Sequence, residues 1–473
     1  MTTPLRIAVD IGGTFVDAVE LDTATGAVRL RKAPTTPGRP WEGVLEALNR
    51  LGSPPEAVEL FIHGTTLGLN AVLERRGART GIIANEGLRD IFVVGRSNVP
   101  DRSMYDFQWE QPESIVRRRD TVGVRGRLDY AGREIDPLYE AGVREAARFL
   151  VEEQGVAAIA ICFLHSYRNA AHEERAAAIV RAAYPHIEVS ASFEIAAEYR
   201  EYERTSTTVL DAYIRPIFAR YVSHLEEELA GRGFDGRFLI MRSGGGAMTA
   251  DQARRSPTHT ILSGPAGGVL GAARLAGALG REEVLGFDVG GTSLDLCVIE
   301  RGAPVSVHEA ELERYPLLIP VYDIRTLGAG GGSIAGVEDG LLKVGPRSAG
   351  AEPGPIAYGR GGTEPTVTDA AVVLGYVDAG NFLGGAMPLD AEAARAGVQR
   401  AVGDPLGIDA RQAAVGIFRV LLARTVGAVR QITVERGRDP RGFSLLAFGG
   451  AGPLLAPLLA RELAVKEVVV PAA

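Results

Sequence analysis

Lysine is nearly missing from this chain: of 473 residues only Lys32, Lys343 and Lys466 are lysine, and arginine supplies the other basic side chains. No Gly-Lys pair exists, which excludes the phosphate loop whose lysine follows a glycine, so a nucleotide must be held by other means. Cysteine is as scarce. Cys162 and Cys297 each sit in an apolar strand-like run, which argues against a disulfide framework and for two buried, reduced thiols. Basic excess is lacking too, because the net charge is -8, and an undirected attraction to nucleic acid or an anionic membrane is not expected. No apolar run approaches the roughly 20 residues that span a bilayer, and no basic-then-apolar leader opens the chain. A cytoplasmic chain with neither nucleic acid nor membrane as partner is expected. The G-x-S-x-G elbow, H-E-x-x-H and C-x-x-C are also missing, which removes the serine hydrolase and zinc protease readings.

What is abundant is glycine, 59 residues, set among 46% apolar side chains, enough for two or three domains. Strand-like and helix-like segments alternate up to about Ala183, an α/β rhythm. Residues 95 to 135, rich in Arg, Asp, Pro and Gly with "RRRD" at 117 to 120, read as an irregular or small β insertion with a solvated basic corner. Glu198 to Gly231 is helical in period, with Pro216 as a kink or break and Gly231 as a C-cap, and is expected to join two lobes. A second α/β body is expected from Phe238, so the domains are drawn as 1–185 and 186–473.

The pattern D-x-G-G-T-x-x-D occurs twice, at Asp10 to Asp17 and at Asp288 to Asp295, each time between β-branched strands. Two related lobes follow, each opening with an antiparallel meander. A plain hairpin turn would explain one copy, but turn chemistry demands neither Thr14 and Thr292 nor the further Asp17 and Asp295 at identical offsets. Gly12, Gly13, Gly290 and Gly291 leave room for an anionic oxygen against backbone N–H groups, and the threonine hydroxyls add a donor. Asp10 and Asp288, at strand ends, suit hydrated Mg²⁺ better than a direct phosphate contact. The chemistry expected is metal-nucleotide binding.

Other glycine clusters stand at strand-to-helix junctions, where helix N-termini attract anions. They are "LIMRSGGGAMTADQA" at 239 to 253, "ILSGPAGGVLGAARLAG" at 261 to 277, "TLGAGGGSIAG" at 326 to 336 with Gly330 and Gly331, and "LLAFGGAGPLL" at 445 to 455. Thr249 with Gln252 fits a capping box, and Ser263 a cap. Gly449, Gly450 and Gly452 suit a flat adenine lying on bare backbone, though close strand–helix packing would also want them. His63 stands at a strand end beside Thr65 and Thr66, which open a helix, a place where an anion or carbonyl oxygen could be polarised. The Gly/Pro segment 344 to 370 exceeds the usual length of structureless connections and is expected to be functional.

The blocks "DIGGTFVD", "HGTTLGLNAVLERRGART", "EYREYERTSTTVLDAY", "LSGPAGGVLGA", "FDVGGTSLD", "LGAGGGSIA", "VGPRSAGAEPGPIAYGRGGTEPTVTDA" and "FGGAGP" resemble, in order, the hydantoinase A / 5-oxoprolinase family of the actin/sugar-kinase/Hsp70 ATPase superfamily. That resemblance implies two actin-like (RNase H-like) lobes with a nucleotide cleft between them. It implies ATP and Mg²⁺ as cofactors, clasped by Asp10, Gly12, Gly13, Thr14, Asp288, Gly290, Gly291 and Thr292, with His63, Thr65 and Thr66 toward the reacting end and Asp17 or His63 orienting the nucleophile.

The implied activity is opening of a cyclic amide of the 5-oxoproline or hydantoin type by carbonyl phosphorylation. The alternatives are the ATP-binding subunit of an acetone- or acetophenone-type carboxylase and, from another class, a nucleotide-gated interaction module. A hydantoinase B-like partner subunit and an oligomer are implied. Two features depart from the family pattern. Leu455 stands where similar proteins usually have histidine, and similar proteins continue for a further domain past "VVVP", so a truncated or split subunit is expected.

Overall fold

Each copy of D-x-G-G-T-x-x-D joins the two strands of a β-hairpin, and the register places its first aspartate opposite its last. Leu5–Ile11 pairs with Phe15–Asp22 so that Asp10 faces Asp17, and Val284–Val289 pairs with Leu294–Glu300 so that Asp288 faces Asp295. The computed structural model describes residues 5–12, 15–36, 39–97, 99, 103–111, 113–350, 352–385 and 387–471. Gly13 and Thr14 therefore lie outside the described residues. The chain divides into two compact units: unit 1 comprises Met1–Ala266 with Val307–Val321, and unit 2 comprises Gly267–Ser306 with Tyr322–Ala473.

Unit 1 holds two sheets. The first has Leu5–Ile11 at its centre, flanked by the antiparallel Phe15–Asp22 and then Val28–Pro34 on one side. On the other side lie the parallel strands Val58–Thr65 and Arg237–Met241, with the short Ala247–Thr249 at the edge. Strict alternation sorts the first strand: Leu5, Ile7, Val9 and Ile11 are buried, while Arg6, Ala8 and Asp10 reach solvent. The second sheet is parallel, in the order Glu188–Ala191, Ala158–Cys162, Thr80–Asn85, Thr121–Val124. Ala158–Cys162 is apolar at every position and fully buried, as a strand covered on both faces must be.

The helix Glu201–Gly231 packs on both of these sheets. Its first half sends Val209, Leu210, Tyr213 and Ile214 into the core shared with Ile82, Ala158 and Ala160. Its second half sends Phe218, Tyr221, Val222 and Leu225 into the core with Ile7, Val9 and Phe61. It runs unbroken through Pro216 and lies inside unit 1, so the expectation of a kinked helix linking two lobes is not met.

One further expectation is corrected. The strand containing Phe238 belongs to the first sheet, pairing with Phe61, and does not begin a second body. The compact division falls within the helix Ser263–Ala278, and Glu188–Ala191 pairs with Ala158–Cys162 across position 185/186. Alternating apolar residues identify a strand but not its sheet, and that is why these joins escape the sequence.

Unit 2 repeats the hairpin-plus-parallel-strand plan: Val284–Val289 is flanked by Leu294–Glu300 and by the parallel Ser444–Phe448, with Glu467–Val469 beyond. The third strand of the meander is split here. Ala303–Pro304 pairs at one end of Leu294–Glu300, and Ile324–Leu327 pairs along the rest. The helix Ala410–Ile432 is, among the described residues, the one long and apolar enough to cross a membrane. Ala413, Ile417, Leu421 and Val429 of that helix are buried with Leu285, Phe287 and Leu445, which makes it a core helix.

Candidate functional site

In unit 1 the carboxylate of Asp10 is the centre on which the turn's neighbours converge. Asp10 pairs in register with Gly64 of the adjacent parallel strand, and a Cβ at Gly64 would lie 2.7 Å from Asp10 Oδ1. A Cβ at Gly264, at the start of the helix Ser263–Ala278, would lie 3.3 Å from the same oxygen and 3.4 Å from Thr66 Cγ2. Two glycines therefore keep side chains away from one carboxylate. Thr66 ties the next helix, Leu67–Leu73, to the turn, its hydroxyl donating to the Ile11 carbonyl at 3.0 Å. Ser263 does not cap its own helix as expected. Its hydroxyl accepts from Thr65 N at 3.1 Å and donates to the Thr65 carbonyl at 3.0 Å, fastening two chain segments behind Asp10.

Asp10 reaches solvent yet is crowded by surrounding protein. That crowding first, and the Asp17 carboxylate second, push its pKa up to about 6. Asp17 is exposed and paired with Lys32 Nζ at 3.2 Å. Gly12 holds the other side of the turn through its carbonyl, which accepts from Thr35 Oγ1 at 3.0 Å.

His63 is the expectation that geometry corrects. Register puts His63 beside Val9, and both lie on the opposite face of the sheet from Asp10 and Gly64. The ring is completely buried, with Nδ1 3.2 Å from the Val9 carbonyl and Nε2 2.7 Å from Tyr221 Oη. Burial pushes its pKa down to about 4, with the Val9 bond acting weakly the other way. Both nitrogens are engaged in the core and none faces the turn, so His63 serves packing here. Thr65 is buried as well, and its hydroxyl accepts from Leu67 N at 3.1 Å. Thr66, half-buried, is the member of the trio that stands next to Asp10.

In unit 2 the second turn is braced by other glycine segments. Gly449 has φ of +76°, and a Cβ there would fall 2.2 Å from Asp288 Oδ1 and 2.6 Å from the Val289 carbonyl, so only glycine fits. Ala451 N donates to that same carbonyl at 2.8 Å, and a Cβ at Gly452 would sit 3.3 Å from the Phe287 carbonyl. Gly450 meets nothing within 4 Å and is exposed, as a surface for a flat ring would be. Gly268 would place a Cβ 3.4 Å from the Phe448 ring and 3.7 Å from Asp288 Oδ2, a role the sequence did not signal beyond its glycine-rich helix start.

The expectation for Gly330 and Gly331 changes. Gly331 N donates to the Gly290 carbonyl at 3.0 Å, Gly332 N to the Gly291 carbonyl at 2.6 Å, and Gly330 N to Ser333 Oγ at 2.8 Å. Those amides are engaged within the protein, and the triple glycine exists because a Cβ at 330 would be 2.7 Å from the Gly290 carbonyl. They support the turn from behind. Gly291 and Thr292 remain exposed at its tip. Thr326, which sequence reasoning missed, donates to Asp295 Oδ1 at 2.5 Å, and burial raises the Asp295 pKa while this bond lowers it.

The long segment 344 to 370 is ordered around a buried carboxylate: Asp369 accepts from Ile356 N at 3.2 Å, Ala357 N at 2.7 Å, and Thr366 N and Oγ1 at 2.8 Å each. Leu455 is buried in the unit 2 core beside Leu459, with no polar partner to serve. Among the described residues no group of three metal-ligating side chains forms, so each turn offers its own strand-end carboxylate. This donor set suits a Mg²⁺ ion that keeps most of its water and takes the rest of its shell from phosphate oxygens.

The hydantoinase/oxoprolinase N-terminal region matches residues 6–184, and the hydantoinase/oxoprolinase model matches residues 204–473, meeting near the boundary drawn from sequence rather than at the compact division. Caprolactamase subunit alpha of Pseudomonas jessenii is 38% identical over 98% of this chain and 68% of its own length. The crystal structure of the ATP-dependent caprolactamase from that organism superposes with a TM-score of 0.86 at 37% identity, covering 98% of this chain and 68% of that one. A nucleotide-free structure of acetone carboxylase gives 0.84 at 30% identity, covering 99% and 68%. 5-Oxoprolinase 1 of Arabidopsis thaliana is 30% identical over 98% of this chain, which spans 40% of that protein.

Proposed function

This chain belongs to the hydantoinase/oxoprolinase family, and from that premise we propose that it is the ATP-handling component of an amidohydrolase that opens a cyclic amide of the 5-oxoproline or hydantoin type. The observation that carries the reading is the doubled hairpin, in which Asp10 and Asp288 each stand at a strand end over a glycine that keeps the carboxylate accessible. Asp10 with Gly12, Gly13 and Thr14, and Asp288 with Gly290, Gly291 and Thr292, are the residues assigned to Mg-ATP, with Gly449, Gly450 and Gly452 assigned to its adenosine end. ATP supplies the phosphoryl group that makes an unreactive carbonyl carbon electrophilic, and Mg²⁺ offsets the charge that gathers on the phosphate oxygens.

The chain's own part is orientation. Gly64 and Gly264 hold space open at Asp10, Thr66 stands on its rim with its hydroxyl bound to the Ile11 carbonyl, and Asp17, paired with Lys32, is the exposed carboxylate left to orient water. His63 acts from behind by fixing the strand that ends in Asp10. Ring opening is assigned to a complex with a hydantoinase B-like partner chain; the Pseudomonas relative is itself named a subunit.

ATP turnover of the purified complex, measured with 5-oxoproline, a hydantoin, a lactam, or a ketone plus bicarbonate, tests the reading: stimulation by a cyclic amide without bicarbonate is expected. The likeness to acetone carboxylase favours one rival, a ketone carboxylase component, which would show turnover dependent on ketone and bicarbonate together. Tight ATP binding with flat turnover under every condition would leave the interaction module. At residue level, Asp288→Ala should lower Mg-ATP affinity at least tenfold with the circular dichroism spectrum unchanged, and wild-type affinity would remove Asp288 from the site.

A further inference from the structure

Register carries each turn's aspartate pair into a row that crosses four strands on one face of its sheet. In unit 1 the row reads Gly64, Asp10, Asp17, Lys32, and in unit 2 it reads Phe448, Asp288, Asp295, Thr326. Residues directly opposite on antiparallel strands hold their Cβ atoms about 4.5–5.5 Å apart, and like charges so placed repel. Both rows set two carboxylates side by side. They differ in the fourth member, where unit 1 has an ammonium and unit 2 a hydroxyl.

Lys32 Nζ stands 3.2 Å from Asp17 Oδ1, so the row of unit 1 contains its own cation. Asp295 forms no ion pair among the described residues; its partner is Thr326, whose hydroxyl donates to Oδ1 at 2.5 Å. A hydroxyl fixes the direction of a carboxylate without cancelling its charge, whereas an ammonium does both. Asp17 is exposed, where water and salt screen it, and Asp295 is half-buried, where they screen it less. The strand that carries Thr326, Ile324–Leu327, leads directly into the glycines that back the turn, Gly331 N and Gly332 N donating to the carbonyls of Gly290 and Gly291. One segment thus fixes both the tip of the turn and the carboxylate on its flank.

We propose that Asp295 is a second carboxylate for the hydrated Mg²⁺ of Mg-ATP beside Asp288, that Thr326 is a positioning residue acting through it, and that Asp17 has no such part. The inference rests on the reading of the turns as the Mg-ATP site and deepens it by saying which of the two outer aspartates serves the metal. In unit 1 the Lys32 charge opposes that of Asp17, so a divalent cation gains little there and Asp17 is left to water. In unit 2 the fourth member carries no charge to oppose a cation. With Oδ1 engaged by Thr326, Oδ2 is the atom available to a metal-bound water, the contact expected of an ion that gives up its water reluctantly.

The test uses the whole chain and a non-hydrolysable ATP analogue, bound once with excess magnesium and once with a chelator, and reads the ratio of the two affinities by calorimetry. General damage to the site lowers both affinities and leaves their ratio alone. Thr326→Lys, which copies the fourth member of the unit 1 row, and Asp295→Asn should each cut the ratio at least tenfold with the circular dichroism spectrum unchanged. Thr326→Ser, which keeps the hydroxyl, and Asp17→Asn should both stay within about twofold of the wild type. A wild-type ratio in either Thr326→Lys or Asp295→Asn would overturn the proposal. Asp288→Ala, measured alongside, then tells the two failures apart: a lowered ratio there keeps the Mg-ATP reading of the turn, and an unchanged one removes that reading as well.

Discussion

The two turns share one sequence pattern and one register, yet they are built into their surroundings differently. In unit 1 the ground behind Asp10 is polar and buried, with His63 and Tyr221 hydrogen-bonded in the core and Asp17 held by Lys32 at the surface. In unit 2 the position equivalent to His63 is Ala447, because Phe287 pairs with Ala447 as Val9 pairs with His63. There the turn is braced by main chain, with Gly330 to Gly332 on one side and Gly449 to Ala451 on the other. The difference teaches that eight residues specify the hairpin, while the segments packed against it specify rigidity and acidity.

The largest effect expected from this contrast is at Gly449. Gly449→Val forces a side chain onto both Asp288 Oδ1 and the Val289 carbonyl at a φ of +76°, and backbone cannot swing aside as a carboxylate can. A loss of about 3 kcal/mol or more in the stability of unit 2 is expected in denaturant titrations. A loss below 1 kcal/mol would mean the turn is not braced in this way.

Next is the buried histidine of unit 1. Its folded pKa of about 4 lies below the ordinary 6.5, so the unfolded chain binds the extra proton between those values. Its contribution is therefore present above pH 6.5 and is lost as pH falls toward 4, by about 3 kcal/mol over the window. His63→Phe should flatten that part of the stability–pH curve for unit 1 and leave unit 2 unchanged, a comparison that unfolding at pH 7.5 and pH 4.5 would settle.

A smaller effect is expected at Gly64. A Cβ there meets Asp10 and no backbone, so Gly64→Ala should leave stability within about 1 kcal/mol of the wild type while displacing the carboxylate. Mg-ATP affinity by calorimetry should fall about tenfold, near 1.4 kcal/mol, and unchanged affinity would separate Asp10 from the metal. Smallest is Lys32→Ala, which breaks an exposed ion pair with Asp17 and should change stability by less than about 0.5 kcal/mol. Any larger change would make Lys32 part of the turn's architecture.

Much of this was legible in the residues. The paired hairpins, the helix Glu201–Gly231 and the Thr249–Gln252 capping box all depend on local periodicity, capping and turn chemistry that a linear reading can see. Less was legible where partners are remote. His63 read as a strand-end polar residue because its Tyr221 partner is 158 positions away. The glycines at 330 to 332 read as a ligand cradle because the carbonyls they approach, at 290 and 291, lie about 40 positions earlier.

By itself the sequence determined which residues turn, which alternate and which repeat, because those properties are set by side-chain shape and spacing along one chain. Tertiary structure decided which strand joins which sheet, which face each polar residue takes and which glycine is filled by neighbouring backbone. Those outcomes depend on atoms brought together from distant positions, and a one-residue change of register would by itself turn a strand's side chains to the opposite face.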